Sequence, residues 1–450
     1  MKHSFLAKIL AGATFAFMAV CAVPPGFAAE IVTVKDTVTS TIAYSPNIKS
    51  FQEYRQAAVH DLKRARSGWF PRVDARAAYG AGQWSDTTSR TKGNRRGPRD
   101  YYDRSEASLV VSQTIWDGMD TWNRYKIGKS RLESAESRLF DNAEALGLDA
   151  VLAHIEIYRQ RRIIALAELN VKNHKSILAS QRERRSSGAA TEADVSQTQS
   201  RLARAEASLT ESRLALDVAM ANYKRLTGKV PGQVEPPAAP AGAYPSLEVA
   251  MSHSQTGNMK VRALRADAST AESQSELDKA PFHPQIFLEA GPSYNYRLGS
   301  SLDDQGGMSV MLRANWNLFN GGYDWYNVKG SKARARQARQ DVHVQLDALA
   351  EETESTWSEL VSARELVKHF TNAVTYATRT RDMYLEQFNV GQRSLLDVLD
   401  SENELFSSSI QLVTAQQNVI AAQYRLIALG GDFLGNFGLN RNALAVNTDY

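Results

Sequence analysis

A single cysteine, Cys21, occurs in 450 residues, and it lies in a segment that reads as removable. Lys2, His3 and Lys8 precede or open an apolar run from Ile9 to Val23, and small residues follow, ending Gly26-Phe27-Ala28-Ala29. That order of charge, apolar core and small residues is a secretory leader covering 1–29. The rival, a lipid-modified Cys21, wants a small residue just ahead of the thiol, and Met18-Ala19-Val20 does not supply it. Cleavage near Ala28 or Ala29 leaves a mature chain with no thiol, hence no disulfide and no cysteine nucleophile.

Other absences narrow the function. The eight His are scattered with no HExxH spacing, and the glycines cluster at turns without phosphate-loop spacing. Nothing marks a catalytic, cofactor-binding or metal site, so the chain does not read as an enzyme. A net charge of +4 is too small to argue for nucleic acid. Past the leader no stretch approaches the roughly 20 apolar residues of a helical membrane span, so any crossing must use strands.

What the chain does contain is itself twice. A shift of 203 residues lays Trp116-Asp117-Gly118 on Phe319-Asn320-Gly321, Gly188 on Gly391, Asp194-Val195 on Asp397-Val398, and Leu226-Thr227-Gly228 on Leu429-Gly430-Gly431, without a gap. Such self-similarity marks a duplicated architecture. It divides the chain into a first repeat, 30–230, and a second, 248–431. A Pro-, Gly- and Ala-rich connector, 231–247, joins them and a tail, 432–450, follows.

Each repeat carries apolar residues at seven-residue spacing. Val195, Leu202, Leu209, Leu216 and Tyr223 are answered by Val398, Leu405, Leu412, Val419 and Leu426. Before them Ile157, Ile164, Val171 and Leu178 are answered by Leu360, Val367 and Val374, with a lapse at Arg381. This spacing predicts left-handed coiled-coil packing of helices over 119–186, 192–226, 322–388 and 395–429. Any long helical bundle shows the pattern, but the lengths are unusual. A helix over 119–186 runs roughly 100 Å at about 1.5 Å per residue. The return helix covers about half of it, and a helix from about Pro46 to Gly68 can stack end to end with the return helix to supply most of the rest.

Between the helices the period changes to two. Val73, Ala75, Ala77 and Tyr79 oppose Arg72, Asp74 and Arg76, while Ala107, Leu109 and Val111 oppose Ser108 and Ser112. In the second repeat Ile286, Leu288 and Ala290 oppose Gln285 and Glu289. Met308, Val310, Leu312, Ala314, Trp316 and Leu318 oppose Ser309, Arg313, Asn315 and Asn317, with Met311 out of pattern. Hairpins over 71–114 and 284–318 follow, with strands of about ten residues, the length a tilted membrane strand needs. A half-buried soluble sheet alternates in the same way. Against it, the arginines suit a wet lumen, and Trp69, Phe70, Trp116, Trp316 and Phe319 sit at strand ends as an interfacial girdle does.

The first hairpin loop, about Gly80 to Tyr101, holds Arg90, Lys92, Arg95, Arg96 and Arg99; the second, about Arg297 to Gly307, holds Asp303 and Asp304. These charges read as solvated loop, or in the basic case as a contact for anionic lipid head groups. Four strands cannot close a membrane barrel, and an open edge in lipid leaves backbone groups unpaired. Two copies give eight strands and three give twelve, the latter roughly 24 Å across at about 4.8 Å per strand.

The duplicated unit, its strand-to-rod junctions and the turn Val390-Gly391-Gln392-Arg393-Ser394-Leu395-Leu396-Asp397-Val398-Leu399-Asp400 resemble the TolC family of outer-membrane channel proteins. The resemblance implies a mainly α fold with membrane β: a homotrimer whose four strands per chain make a twelve-stranded β-barrel in outer-membrane lipid, above an α-helical barrel through the periplasm of a Gram-negative bacterium. It also implies docking to a periplasmic adaptor and an inner-membrane transporter, by way of the hairpin tips at Gly188, Thr191, Gly391 and Ser394. Ser187-Gly188-Ala189-Ala190-Thr191-Glu192-Ala193-Asp194-Val195, Ser401-Glu402-Asn403-Glu404-Leu405-Phe406 and Tyr424-Arg425-Leu426 are similar to the branch serving type I secretion of large adhesins, the LapE or AggA group. That branch works with an ABC-type transporter. A proton-driven drug or metal efflux pump remains the alternative, and a periplasmic adaptor, with one hairpin and compact β domains, is a weaker rival.

Thr191 with Asp194, and Ser394 with Asp397, fit a hydroxyl at the N-cap and a carboxylate three residues on, a helix-starting pair. The duplication isolates what the turn itself does not need. Asp400 falls on Gln197 and Arg393 on Ala190. Asp397 and Asp400, three apart, share a helix face. The resemblance matches them to aspartates ringing the periplasmic aperture, a weak cation ring, and matches Arg393 and Asp194 to a polar link between neighbouring hairpins that holds it shut. Phe388 stands where some members have a Tyr in that link, so a weaker closed state is expected.

Overall fold

A computed structural model describes residues 31–82, 101–296 and 304–445. In chain order the elements are β1 (Ile31–Val32), α1 (Val34–Tyr44), α2 (Pro46–Arg66), β2 (Arg72–Gly82), β3 (Tyr102–Trp116), α3 (Asp120–Ser186) and α4 (Glu192–Thr227). Then come β4 (Gln233–Val234), α5 (Leu247–Gly257), α6 (Met259–Leu277), β5 (Gln285–Tyr296), β6 (Asp304–Asn315), α7 (Tyr323–Asn389), α8 (Leu395–Leu429), α9 (Phe433–Asn436) and α10 (Arg441–Ala445). The leader and the arginines and lysine of the first hairpin loop lie outside the described residues, as does Asp303.

The two rods, α3 and α7, are 67 residues each, about 100 Å long. Toward the strands α3 packs on α2 and α6; toward the opposite end it packs on α4 and α8, while α7 packs on α6 and α8. The short helices therefore stack in pairs along each rod. At one joint Gly228 sits at φ +73°, and a Cβ there would come within 2.6 Å of the Tyr44 ring. At the other, Asn258, which caps α6, donates from Nδ2 to the Leu429 carbonyl at 3.1 Å.

The seven-residue stripe seen in sequence is half of the seam. Val195, Tyr223, Val398 and Leu426 are buried. Between them runs a second stripe of small residues, also at spacing seven: Thr198, Ala205, Ser212 and Ala219 in α4, and Ser401, Ser408, Ala415 and Ala422 in α8, all buried. These are the same positions 203 residues apart. Small side chains let helix backbones approach closely while the larger stripe fills the adjacent layer. The principal core lies midway along the rods, where Val38, Ile48, Leu139, Val151, Ile427, Phe433 and Leu434 meet. Phe433 and Leu434 belong to the tail, which packs as part of the body. The connector also takes part, since β4 pairs parallel with β1.

The strands form one antiparallel sheet in the order β2-β3-β5-β6, so the two hairpins join through β3 and β5. Register puts Arg72, Asp74, Arg76, Ser108, Ser112, Glu289 and Arg313 on one face and Val73, Ala75, Leu109, Val111, Leu288, Val310 and Leu312 on the other. Arg72 bonds Asp74 at 2.7 Å and Arg313 bonds Glu289 at 2.9 Å on the polar face. Met311 lies opposite Glu289 on that polar face, against the apolar pattern. Met308, Val310 and Leu312 are exposed on the other face, as a lipid-facing surface would be.

Two boundaries differ from expectation. The last strand ends at Asn315, so Trp316 and Leu318 continue the alternation, and Phe319 follows it, outside the sheet. Their partner strand begins at Gln285, preceded by Pro284, which has no N–H to extend the ladder. Asp304, expected in a loop, starts β6 opposite Tyr296 and accepts the Tyr294 hydroxyl at 2.8 Å.

Candidate functional site at the hairpin tips

Both rods end in the same turn. Gly188 and Gly391 hold φ of +78° and +80°, and no atom lies within 4 Å of where a Cβ would stand, so backbone conformation alone demands glycine. Ala189 N–H bonds the Arg184 carbonyl at 2.7 Å, and Gln392 N–H bonds the Gln387 carbonyl at 2.8 Å, closing the last turn of each rod. Thr191 and Ser394 then start the return helices with full capping boxes. The Thr191 N–H and hydroxyl hold the Asp194 carboxyl below its ordinary range. Asp397 accepts the Ser394 hydroxyl at 2.9 Å.

The tips differ in what closes them. In the first, Arg185 and Glu192 form an exposed ion pair at 2.5 Å. The equivalent residues in the second are Phe388 and Leu395, both buried with Ile177, Val398 and Leu399. The second tip is thereby docked on the rod of the first repeat: Arg184 stacks over the Phe388 ring at 4.5 Å and donates to its carbonyl at 3.2 Å. Phe388, expected to weaken the aperture by lacking a hydroxyl, is an anchor of this packing.

The charged residues singled out in sequence are distributed over separate contacts. Arg393 donates from Nε to Gln387 at 3.0 Å, stacks on the Tyr384 ring at 4.3 Å and approaches Asp397 at 3.7 Å. Asp400 pairs with Arg201 of the first repeat at 2.8 Å. Within one chain, among the described residues, Arg393 has no ion-pair contact with Asp194.

A buried polar node lies behind the second tip. Arg381, the lapse in the apolar stripe, meets Glu402 at 3.0 Å, and Asn173 donates to the other carboxylate oxygen at 3.1 Å. The Glu402 side chain is 6% exposed. Beside it the His174 imidazole is pushed down by burial, against the opposing pull of Glu402. A cavity of about 300 Å³ opens between this node, Ile177 and Phe388. Sequence reasoning missed Glu402 because its partner is 21 residues away on another helix; the charged interruption at Arg381 was the available signal.

The sequence matches the family model described as outer membrane efflux protein over residues 38–229 and 250–432, one segment per repeat. Outer membrane efflux protein BepC of Brucella suis is 26% identical over 333 residues, covering 74% of this chain and 73% of that protein. Alkaline protease secretion protein AprF of Pseudomonas aeruginosa is 22% identical, covering 78% and 74%. Outer membrane protein TolC of Vibrio cholerae is 20% identical, covering 85% and 86%. The fold is shared with the Vibrio cholerae outer membrane protein VceC at a TM-score of 0.75, 16% identity and 91% and 96% coverage. It is shared also with the Campylobacter jejuni CmeC outer membrane channel at 0.76, 14% identity and 89% and 86% coverage. With both halves of the duplication matched and the rods, sheet and tips arranged as in these channels, the chain belongs to the outer membrane efflux protein family.

Proposed function

We propose that this chain is the outer-membrane channel of a tripartite export system, a passive duct from periplasm to exterior for type I secretion of protein, with a large adhesin as cargo. The carrying observation is the pairing of two long hairpins with one four-stranded sheet whose outer strands, β2 and β6, each have a single partner among the described residues. In lipid those edges need strands from further copies, and three copies make a twelve-stranded barrel continued by the rods. A periplasmic adaptor has no use for two hairpins and a sheet with one apolar and one charged face.

At the far end three copies bring the tips together. Asp397 and Asp400 then ring the aperture as a weak cation ring, and Arg393 of one chain reaches Asp194 of the next as a latch. The turns at Gly188, Thr191, Gly391 and Ser394 receive the adaptor and an ABC-type transporter. Relatives named for the secretion of proteases support protein as cargo; the family description and BepC support efflux of small molecules as the second reading.

Disruption of the gene decides between them. Loss of one large protein from the culture supernatant, with drug and metal sensitivity unchanged, is the expected result. An unchanged supernatant with raised drug or metal sensitivity would move the assignment to efflux.

A further inference from the structure

Immediately below the sheet the two rods carry the same exposed stripe. Trp122, Lys126 and Lys129 lie at successive turns on one face of α3, and Trp325, Lys329 and Lys332 occupy the equivalent positions of α7, 203 residues on. All six are exposed. Lys126 Nζ stands 5.6 Å from the Trp122 ring and Lys329 Nζ 3.4 Å from the Trp325 ring. Packing does not require these residues, yet both repeats keep them.

Their depth is matched too. Counted from the first residue of each rod at about 1.5 Å per residue, the tryptophans lie roughly 3 Å, the first lysines roughly 9 Å and the second roughly 14 Å along it, at the membrane-proximal end of the helical part in both repeats. Lipid head groups and their hydration occupy about 5–8 Å beyond each side of a 30 Å hydrocarbon core, and a lysine stem reaches several ångströms back toward it. The aromatic collar is broader than the stripe: Trp69 and Tyr125 pack against Trp122 with ring centroids 6.2 and 5.9 Å away, and Tyr326 packs edge-on to Trp325.

The charge is available. Nearby carboxylates are already paired: Asp120 with Arg124, Glu272 with Arg339 and Glu276 with Lys279. None of the four lysines has an ion-pair partner among the described residues. Lys126 and Lys332, one from each stripe, border a single groove of about 590 Å³ over α6.

We propose that these stripes are a binding site for the phosphodiester head groups of anionic phospholipid in the membrane leaflet that faces the rods. The tryptophans sit at the edge of the hydrocarbon and the lysines hold the phosphates, two stripes per chain. The proposal rests on the channel reading above, since it needs the sheet to cross a membrane. A stripe used for packing would be buried, and a stripe used for solubility alone would not repeat an exposed tryptophan within the first turn of each rod. The occupant follows from continuity with the membrane-facing sheet and from unpaired positive charge at head-group depth.

The test compares the full-length protein with K126Q/K129Q/K329Q/K332Q and with the corresponding Lys→Arg variant. Each is purified in neutral detergent and titrated with phosphatidylglycerol or phosphatidylcholine, and bound lipid is counted by native mass spectrometry. Wild type and the Arg variant are expected to prefer phosphatidylglycerol at least about tenfold, at roughly fivefold per lysine before salt screening, and the Gln variant to lose that preference. Equal retention of both lipids by wild type, a preference that survives in the Gln variant, or displacement of phosphatidylglycerol by equimolar inorganic phosphate would each overturn the site. Heat-modifiable trimers in outer-membrane fractions are scored separately; absence of trimers in wild type would remove the channel reading itself.

Discussion

Arg201 and Asp400 join the two repeats by an ion pair at 2.8 Å, between a helix of the first hairpin and a helix of the second. Neither side of the contact is repeated: Asp400 corresponds to Gln197 and Arg201 to Glu404. The pair is therefore a tie between non-equivalent hairpins. Asp400 is 58% exposed, so its worth to stability is about 0–1 kcal/mol. Asp400→Asn and Arg201→Gln should each leave thermal stability nearly unchanged and raise single-channel conductance in planar bilayers. The double variant should do no more than either alone; additive effects would show that the two residues act separately.

The node behind the second tip should behave in the opposite way. With Glu402 buried against Arg381 and Asn173, Glu402→Leu leaves Arg381 with the exposed Asp382 as its remaining carboxylate and should cost about 1–3 kcal/mol. Arg381→Leu with Glu402→Leu restores an apolar stripe in which the first repeat already has Leu178 at the Arg381 position, and should recover most of that loss. Thermal denaturation of the trimer measures both, and a double variant as unstable as Glu402→Leu would contradict the assignment.

How much of this was open to reading in the sequence depends on period and distance. The rods, return helices and hairpins were legible because periods of seven and two persist over many residues and recur 203 residues later. The small-residue stripe of Thr198, Ala205, Ser212 and Ala219 was not, because such residues carry no apolar signal until their burial is known. The capping residues Thr191, Asp194, Ser394 and Asp397 were legible because caps are local. The Arg201–Asp400 and Arg381–Glu402 contacts and the burial of Phe433 and Leu434 were not, because each depends on a partner brought near only by the fold.

Glu144 gives the body a pH dependence. Burial pushes its carboxyl up to about 8, against the pull of Arg441, which stands 2.8 Å away as an ion pair but off the hydrogen-bond axis. The folded value lies above the ordinary carboxyl value, so the protonated form favours the fold. That contribution is full below about 4.5 and is lost as pH rises to about 8. The tail, which carries Arg441, should show greater hydrogen-exchange protection at 433–437 at pH 5 than at pH 8, once the base-catalysed rise of the intrinsic exchange rate is divided out. Glu144→Gln should flatten that difference; an unchanged slope would place its origin elsewhere.

The tips need glycine for conformation only. Gly188→Ala and Gly391→Ala should each cost about 1–2 kcal/mol, although no atom crowds either site. Asn, which tolerates the left-handed region, should cost less at both positions. Equal losses for Ala and Asn would point to a steric cause that the structure does not contain.

The trimer with tips latched between neighbours is the centre of the account, and cysteine cross-linking tests it most directly. With Cys21, the sole native cysteine, replaced by Ala, Asp194→Cys and Arg393→Cys are introduced together and the protein is oxidised in membranes. The account predicts a covalent trimer on denaturing gels and a fall in bilayer conductance that reductant reverses. Oxidation that leaves only monomer, with conductance unaltered, would contradict it.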